Sequence, residues 1–119
     1  MDVLLISDAP QKWTSCLSLL KQRGGTFRTV PAMPEALDCI RNTPPTLAIL
    51  DLSMNAGEIR KAIIDMLMIN ASVHTAVTSE MPEELFHDTM EGLGILMALP
   101  TAPGTDDMEN LLVALEKVR

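Results

Sequence analysis

The stretch Leu47-Ala48-Ile49-Leu50-Asp51-Leu52-Ser53-Met54 decides the fold. It follows the turn signal Thr43-Pro44-Pro45-Thr46 and runs apolar until it stops on a carboxylate, as a strand buried on both faces of a parallel sheet does. Asp51 therefore falls at a strand end. In open α/β sheets ligands bind in the crevice beyond the carboxyl ends of the strands, so an acid there is placed for chemistry. The competing reading is that Asp51 caps the following helix, a common use of Asp.

Outward from that strand the chain alternates. Val3 to Ser7 is a second short apolar run, closed by the polar loop Ser7-Asp8-Ala9-Pro10. Trp13, Cys16, Leu17 and Leu20 then recur at helical spacing, and Gly24-Gly25 ends that helix. Thr26 to Val30 alternates as a strand. Met33, Leu37 and Ile40 mark a second helix that must stop before Pro44-Pro45. Beyond Asp51, the residues Ile59, Ala62, Ile63, Met66 and Leu67 form a helical stripe that Ile64, Met68 and Ile69 widen past one face. Val73 to Thr78 reads as a fourth strand. Ser79-Glu80-Met81-Pro82-Glu83-Glu84 reads as a helix entry with Ser79 as its capping hydroxyl, and Leu85, Phe86, Met90 and Leu93 form the helix's apolar side. Gly94 to Leu99 is expected as the fifth strand, closed by Pro100. Asp106 with Glu109 has capping-box spacing ahead of a last helix carrying Met108, Leu111, Leu112, Leu115 and Val118. Five strand-helix units imply one doubly wound (βα)5, flavodoxin-like α/β domain over residues 1–119, a five-stranded parallel sheet with helices on both faces.

Composition narrows the function. A net charge of −7, with only nine Lys plus Arg and none bunched, gives no electrostatic footprint for nucleic acid or an anionic membrane. With no Tyr, two Phe and one Trp there is no stacking platform for single strands. The first residues lack the positive charge of a signal peptide, and no apolar run is long enough to span a bilayer, so a cytoplasmic location is expected. Cys16 and Cys39 fall on helical core faces, outside any metal-ligand spacing, and read as reduced packing residues. Most of the nine Met read as core filler. Neither His74, at a strand start, nor His87, on the fourth helix, is placed beside Asp51 for acid–base work. A nucleotide or flavin site would need a glycine in the loop after the first strand, which has none.

A sheet of this kind brings the ends of the first, third and fourth strands together, and with them Asp8, Asp51 and Thr78. Two carboxylates with nearby carbonyls suit Mg²⁺, and a carboxylate is a nucleophile toward phosphoryl donors when a cation offsets the charge.

On these residues the chain resembles, over its full length, a receiver domain of bacterial two-component response regulators. The family's third strand ends in a phosphoacceptor Asp and a loop containing Met-Pro, and Asp51-Leu52-Ser53-Met54 matches up to Asn55, which replaces the proline. The resemblance implies that Asp51 accepts a phosphoryl group from a histidine kinase or phosphotransfer protein and that the domain catalyses its own dephosphorylation at most, being otherwise no enzyme. It implies Mg²⁺ on Asp8, Asp51 and the Ser53 backbone carbonyl, with Thr78 as the switch hydroxyl. An output domain or partner protein would read the face made by the fourth helix, fifth strand and fifth helix.

Three further positions depart from the pattern. Ser7-Asp8 keeps only the second of the family's two adjacent acids, Leu96 stands for the aromatic rotor, and Leu99-Pro100 replaces Lys-Pro. The missing Lys removes a positive charge from the phosphoryl site, and the loop 101–105 offers no substitute. Two functions follow: a phosphoaccepting receiver, or a pseudo-receiver that keeps the shape and acts by binding a partner or dimerising. Homodimerisation, through the last helix or the apolar face around Ile64 and Met68, is a further expectation.

Overall fold

A computed structural model of the chain describes residues 1–118; Arg119, the last residue of the expected domain, lies outside them. The order is β1 (Asp2–Ser7), a 3-10 turn (Pro10–Trp13), α1 (Thr14–Gln22), β2 (Thr26–Val30), α2 (Met33–Asn42), β3 (Leu47–Asp51), α3 (Ala56–Ile69), β4 (His74–Thr78), α4 (Glu83–Thr89), β5 (Ala98–Leu99) and α5 (Thr105–Val118). All neighbouring strands pair in parallel in the order β2-β1-β3-β4-β5. The chain thus reverses direction beside β1, and the β1–β3 gap is where such a sheet opens a crevice at its carboxyl edge.

Strand alternation sorts the core into two layers. Leu4, Ile6, Ala48, Leu50 and Val77 face α2, α3 and α4, meeting Ala36, Ile40, Ile59, Ile63, Met66 and Phe86. Val3, Leu5, Leu47, Ile49 and Ala76 face the other way, against Trp13, Cys16 and Leu20 and against Met108, Leu111 and Leu115 of α5. Because the side-chain period of a strand is two, Ser7, Asp51 and Thr78 share a parity with the second set. Three polar side chains therefore end their strands on the face that carries Trp13.

Local chemistry differs from the sequence expectations at several places, and α4 itself ends at Thr89, so that Met90 and Leu93 pack from beyond it while Leu85 is exposed. The fifth strand is two residues long rather than six. Gly92 and Gly94 adopt φ values of 87° and 68°, left-handed conformations that keep the extended run from starting at Gly94, and Leu96 and Met97 reach β4 through single backbone bonds to Thr75 and Val77. Asp106 does not cap α5: Gly104 occupies the cap position, its N–H donates to the Asp107 carboxylate at 2.8 Å, and Glu109 is paired instead with Arg23. Ser79 does not cap α4 either; Pro82 precedes that helix, and the Ser79 hydroxyl accepts the Met81 N–H at 3.0 Å.

Asn55, at the position where the resembled family carries proline, caps α3. Its side chain accepts the Glu58 N–H at 2.8 Å while the Glu58 carboxylate accepts the Asn55 N–H at 2.9 Å, a complete capping box. Asp51 is thereby freed from capping duty. Replacing Asn55 by Ala is expected to cost about 1 kcal/mol of stability, read as a lower urea midpoint with an unchanged slope, and Asn55→Ser is expected to recover most of the loss.

Candidate functional site

Asp51, at the end of β3, is 4% exposed, and both of its oxygens are occupied by groups of the same chain. Oδ2 accepts the Ser7 hydroxyl and the Trp13 indole N–H, each at 2.7 Å. Oδ1 accepts the Thr78 hydroxyl at 2.9 Å and pairs with the Lys12 ammonium at 3.1 Å. Two donors per oxygen fill the lone-pair directions that face the protein.

Sheet register explains how these groups meet. Ser7 and Asp51 are direct partners across β1 and β3, and Thr78 ends the next strand on the same face. Lys12 and Trp13 come from the 3-10 turn, which Pro10 begins. Trp13 is fully buried among the α1 and α5 side chains, and a buried indole needs an acceptor for its N–H. Lys12 reaches the carboxylate with its stem half-exposed, as a long cationic side chain does at a cleft rim.

Electrostatics follow from this arrangement. Burial alone would push the Asp51 carboxyl up; the hydrogen bonds from Trp13, Ser7, Thr78 and Lys12 outweigh burial and hold it below the usual carboxylate range. Asp51 is thus ionised at neutral pH and less basic than a free carboxylate.

The four residues singled out in the sequence line one cleft of about 520 Å³: Asp8, Asp51, Ser53 and Thr78, together with Lys12, Asn55, Glu80 and Thr101. They are not equivalent within it. Asp8 and Ser53 are exposed, whereas Asp51 and Thr78 are buried and bonded to each other. Where the resembled family has a cation at the end of the fifth strand, this chain has the buried Leu99, and two residues on Thr101 donates its hydroxyl to Glu80 at 2.7 Å. The cation on the carboxylate comes from the opposite side, out of the turn after β1.

For Mg²⁺ this donor set fits poorly. Among the described residues no group of three or more His, Cys, Asp or Glu side chains is arranged to hold a metal ion. The one buried carboxylate already carries an ammonium, and Ser7 stands where a second acid would be. A hard dication prefers several anionic or carbonyl oxygens with waters retained.

Sequence reasoning missed Lys12, and it placed Trp13 on a helical core face near Asp8 without identifying its indole as a donor to Asp51. One signal was present: Lys12 and Trp13 closely follow Asp8 and Pro10 in the stretch after the first strand, whose end the sheet order brings beside Asp51.

The class defined by this sheet order, with its acid at the end of β3, is the doubly wound receiver fold. Solved structures with this fold make that concrete. A response regulator from Thermotoga maritima superposes with a TM-score of 0.83 at 14% identity, covering 97% of each chain. The signal receiver domain of a putative Luxo repressor protein from Vibrio parahaemolyticus gives 0.79 at 18% identity, covering 98% of this chain and 90% of its own. A CheY-like response regulator receiver domain from Methanospirillum hungatei JF-1 gives 0.78 at 14%, covering 98% and 94%. No protein-family model and no curated protein matches the sequence. At these identities the likeness is one of fold.

Two outcomes are expected at Asp51. Asp51→Asn turns an NH₂ toward one donor pair, so at least one buried donor loses its acceptor, a loss of about 1–3 kcal/mol in chemical denaturation. The second concerns pH. Because the folded carboxyl lies below its ordinary value of 3.8, the stability it supplies is complete above that value and is lost as the pH falls through the folded one. The acid limb of the melting-temperature profile is therefore expected to be shallower in Asp51→Asn than in the wild type.

Proposed function

We propose that this chain is a receiver-fold signalling module that acts by protein–protein contact and not by phosphoryl transfer. The observation that carries the reading is the state of Asp51, whose two oxygens already hold four donors of its own chain, one of them a cation. A nucleophile must present a free lone pair to the phosphorus, and a carboxylate that is hydrogen-bonded, ion-paired and lowered in basicity is a weak one. The ammonium of Lys12 supplies inside the fold the charge compensation that a divalent cation would otherwise bring.

On this reading the partner is a component of a two-component system, an output domain or another regulator, and the fold is kept for its surface. The departures at Ser7, Leu96 and Leu99 support it, since each replaces a group that would serve a phosphoryl site or its switch.

A second reading has one observation in its favour: Asp8, Asp51, Ser53 and Thr78 converge on a single cleft. Phosphoacceptance from a histidine kinase at Asp51, with Mg²⁺ on Asp8, Asp51 and the Ser53 carbonyl, would then require Lys12 to swing into solvent, which its half-exposed side chain permits.

Fluorine NMR of the wild-type chain with Mg²⁺ and beryllium fluoride separates the two, with intact mass after incubation with a small acyl phosphate as the parallel test. The expected result is no bound-fluoride resonance and no added phosphoryl mass. A bound resonance that disappears in Asp51→Ala, in a variant whose circular dichroism remains native, would overturn the contact-only reading and leave the phosphoacceptor.

A further inference from the structure

The cleft at Asp51 and a second, wider cavity are not independent. A groove of about 980 Å³ lies between α4 and the segment leading into β5, and its walls include Phe86, Met90, Ile95 and Met97. Ser79 and Met81 line this groove and also line the Asp51 cleft. The β4–α4 loop is thus a wall common to both.

That loop is pinned at each residue. The Thr78 hydroxyl has one proton to give; it lies 2.9 Å from the Asp51 carboxylate against 3.4 Å from the Leu50 carbonyl, so the ionised acceptor takes it. The Ser79 N–H donates to the Leu99 carbonyl at 2.9 Å, Glu80 accepts from Thr101, and Met81 donates to the Ser79 hydroxyl. On the other side of Asp51 the carboxylate is oriented by the rigidly entered turn Pro10–Trp13, through a fully buried indole and an ammonium. A planar carboxylate held at Oδ2 has its second oxygen fixed in direction, and that second oxygen is the one Thr78 meets.

We infer that the turn Pro10–Trp13 acts as a built-in ligand of Asp51: through the carboxylate, Lys12 and Trp13 fix Thr78 and the β4–α4 loop, and so set the shape of the α4–β5 groove without any external signal. Lys12 and Trp13 are positioning residues, since neither touches the groove. The inference deepens the contact-only reading, because a module that signals by its surface needs that surface held in one form. The physical warrant is a continuous path of contacts that runs from the turn through the buried Trp13, Asp51 and Thr78 and along the backbone into the partly exposed shared wall.

The test uses amide NMR of the whole chain in the absence of Mg²⁺ and fluoride, so its outcome does not depend on whether Asp51 accepts a phosphoryl group. Lys12→Met changes a half-exposed side chain and leaves the core untouched; Trp13→Phe keeps a buried ring but removes the N–H; Thr78→Val removes the hydroxyl at nearly constant shape. In Lys12→Met the amide resonances of residues 78–81 are expected to move by more than their linewidth, with exchange at those amides faster by about five- to tenfold, the worth of a weakened hydrogen bond. Combined with Thr78→Val, Lys12→Met is expected to add little further change there, since both act on one path. Trp13→Phe, if native by circular dichroism, is expected to move the same amides. Resonances at 78–81 that stay in place in Lys12→Met, with all changes confined to residues 8–14, would overturn the inference, as would fully additive shifts in the double variant.

Discussion

One carboxylate ties the carboxyl edge of the sheet together. Asp51 receives a hydroxyl from β1, an indole and an ammonium from the turn that follows β1, and a hydroxyl from β4, so three parallel strands and one connecting turn share a single acceptor. Burying an isolated carboxylate is prohibitive, and burying one with four donors is not, which makes the donors obligatory once the acid is there. The converse holds as well. Trp13 has its ring sealed in the α1–α5 layer and would leave an unpaired N–H without Asp51. Acid and tryptophan are fixed by each other, and the position of α1 follows from that contact as much as from its own apolar stripe.

Much of the architecture was legible because the strands are short apolar runs with strong punctuation. Leu47 to Leu50 between Pro45 and Asp51, and Val3 to Ile6 before Pro10, leave little choice of element, and the glycines and prolines mark nearly every boundary. The fifth strand was overread because apolar content in Gly94 to Met97 says nothing about backbone sign; Gly94 is left-handed, regular pairing begins only at Ala98, and only the backbone shows it. The caps of α4 and α5 were misplaced for a related reason. Ser79 and Asp106 are good capping residues by type, yet Ser79 is spent on a local turn, and the cap of the last helix lies two residues earlier than Asp106, at Gly104, whose N–H donates to Asp107.

At the site, the four residues found by sequence were those whose position depends on strand ends, which the apolar runs fix. The Lys12 ammonium and the Trp13 indole, whose bonds to Asp51 were not foreseen, depend on the twist of a 3-10 turn. A search for the absent cation that follows the family's geometry looks at the fifth strand and its loop. The ammonium is on the far side of the same carboxylate, supplied by a residue adjacent in space but 39 positions from Asp51 in sequence. Charge compensation is a requirement of the buried acid, and which strand answers it is a matter of local geometry.

The placement of that ammonium also decides what the cleft looks like from a distance. Lys12 is cancelled by Asp51 at 3.1 Å, and the charges that remain at the mouth are the exposed carboxylates of Asp8 and Glu80, on a chain whose net charge is −7. The field that diffusing molecules meet is therefore negative before any donor group is within reach, and it slows the arrival of anions just as a cationic funnel would hasten it. That field acts from about a Debye length away, and it owes nothing to the fit of the cleft.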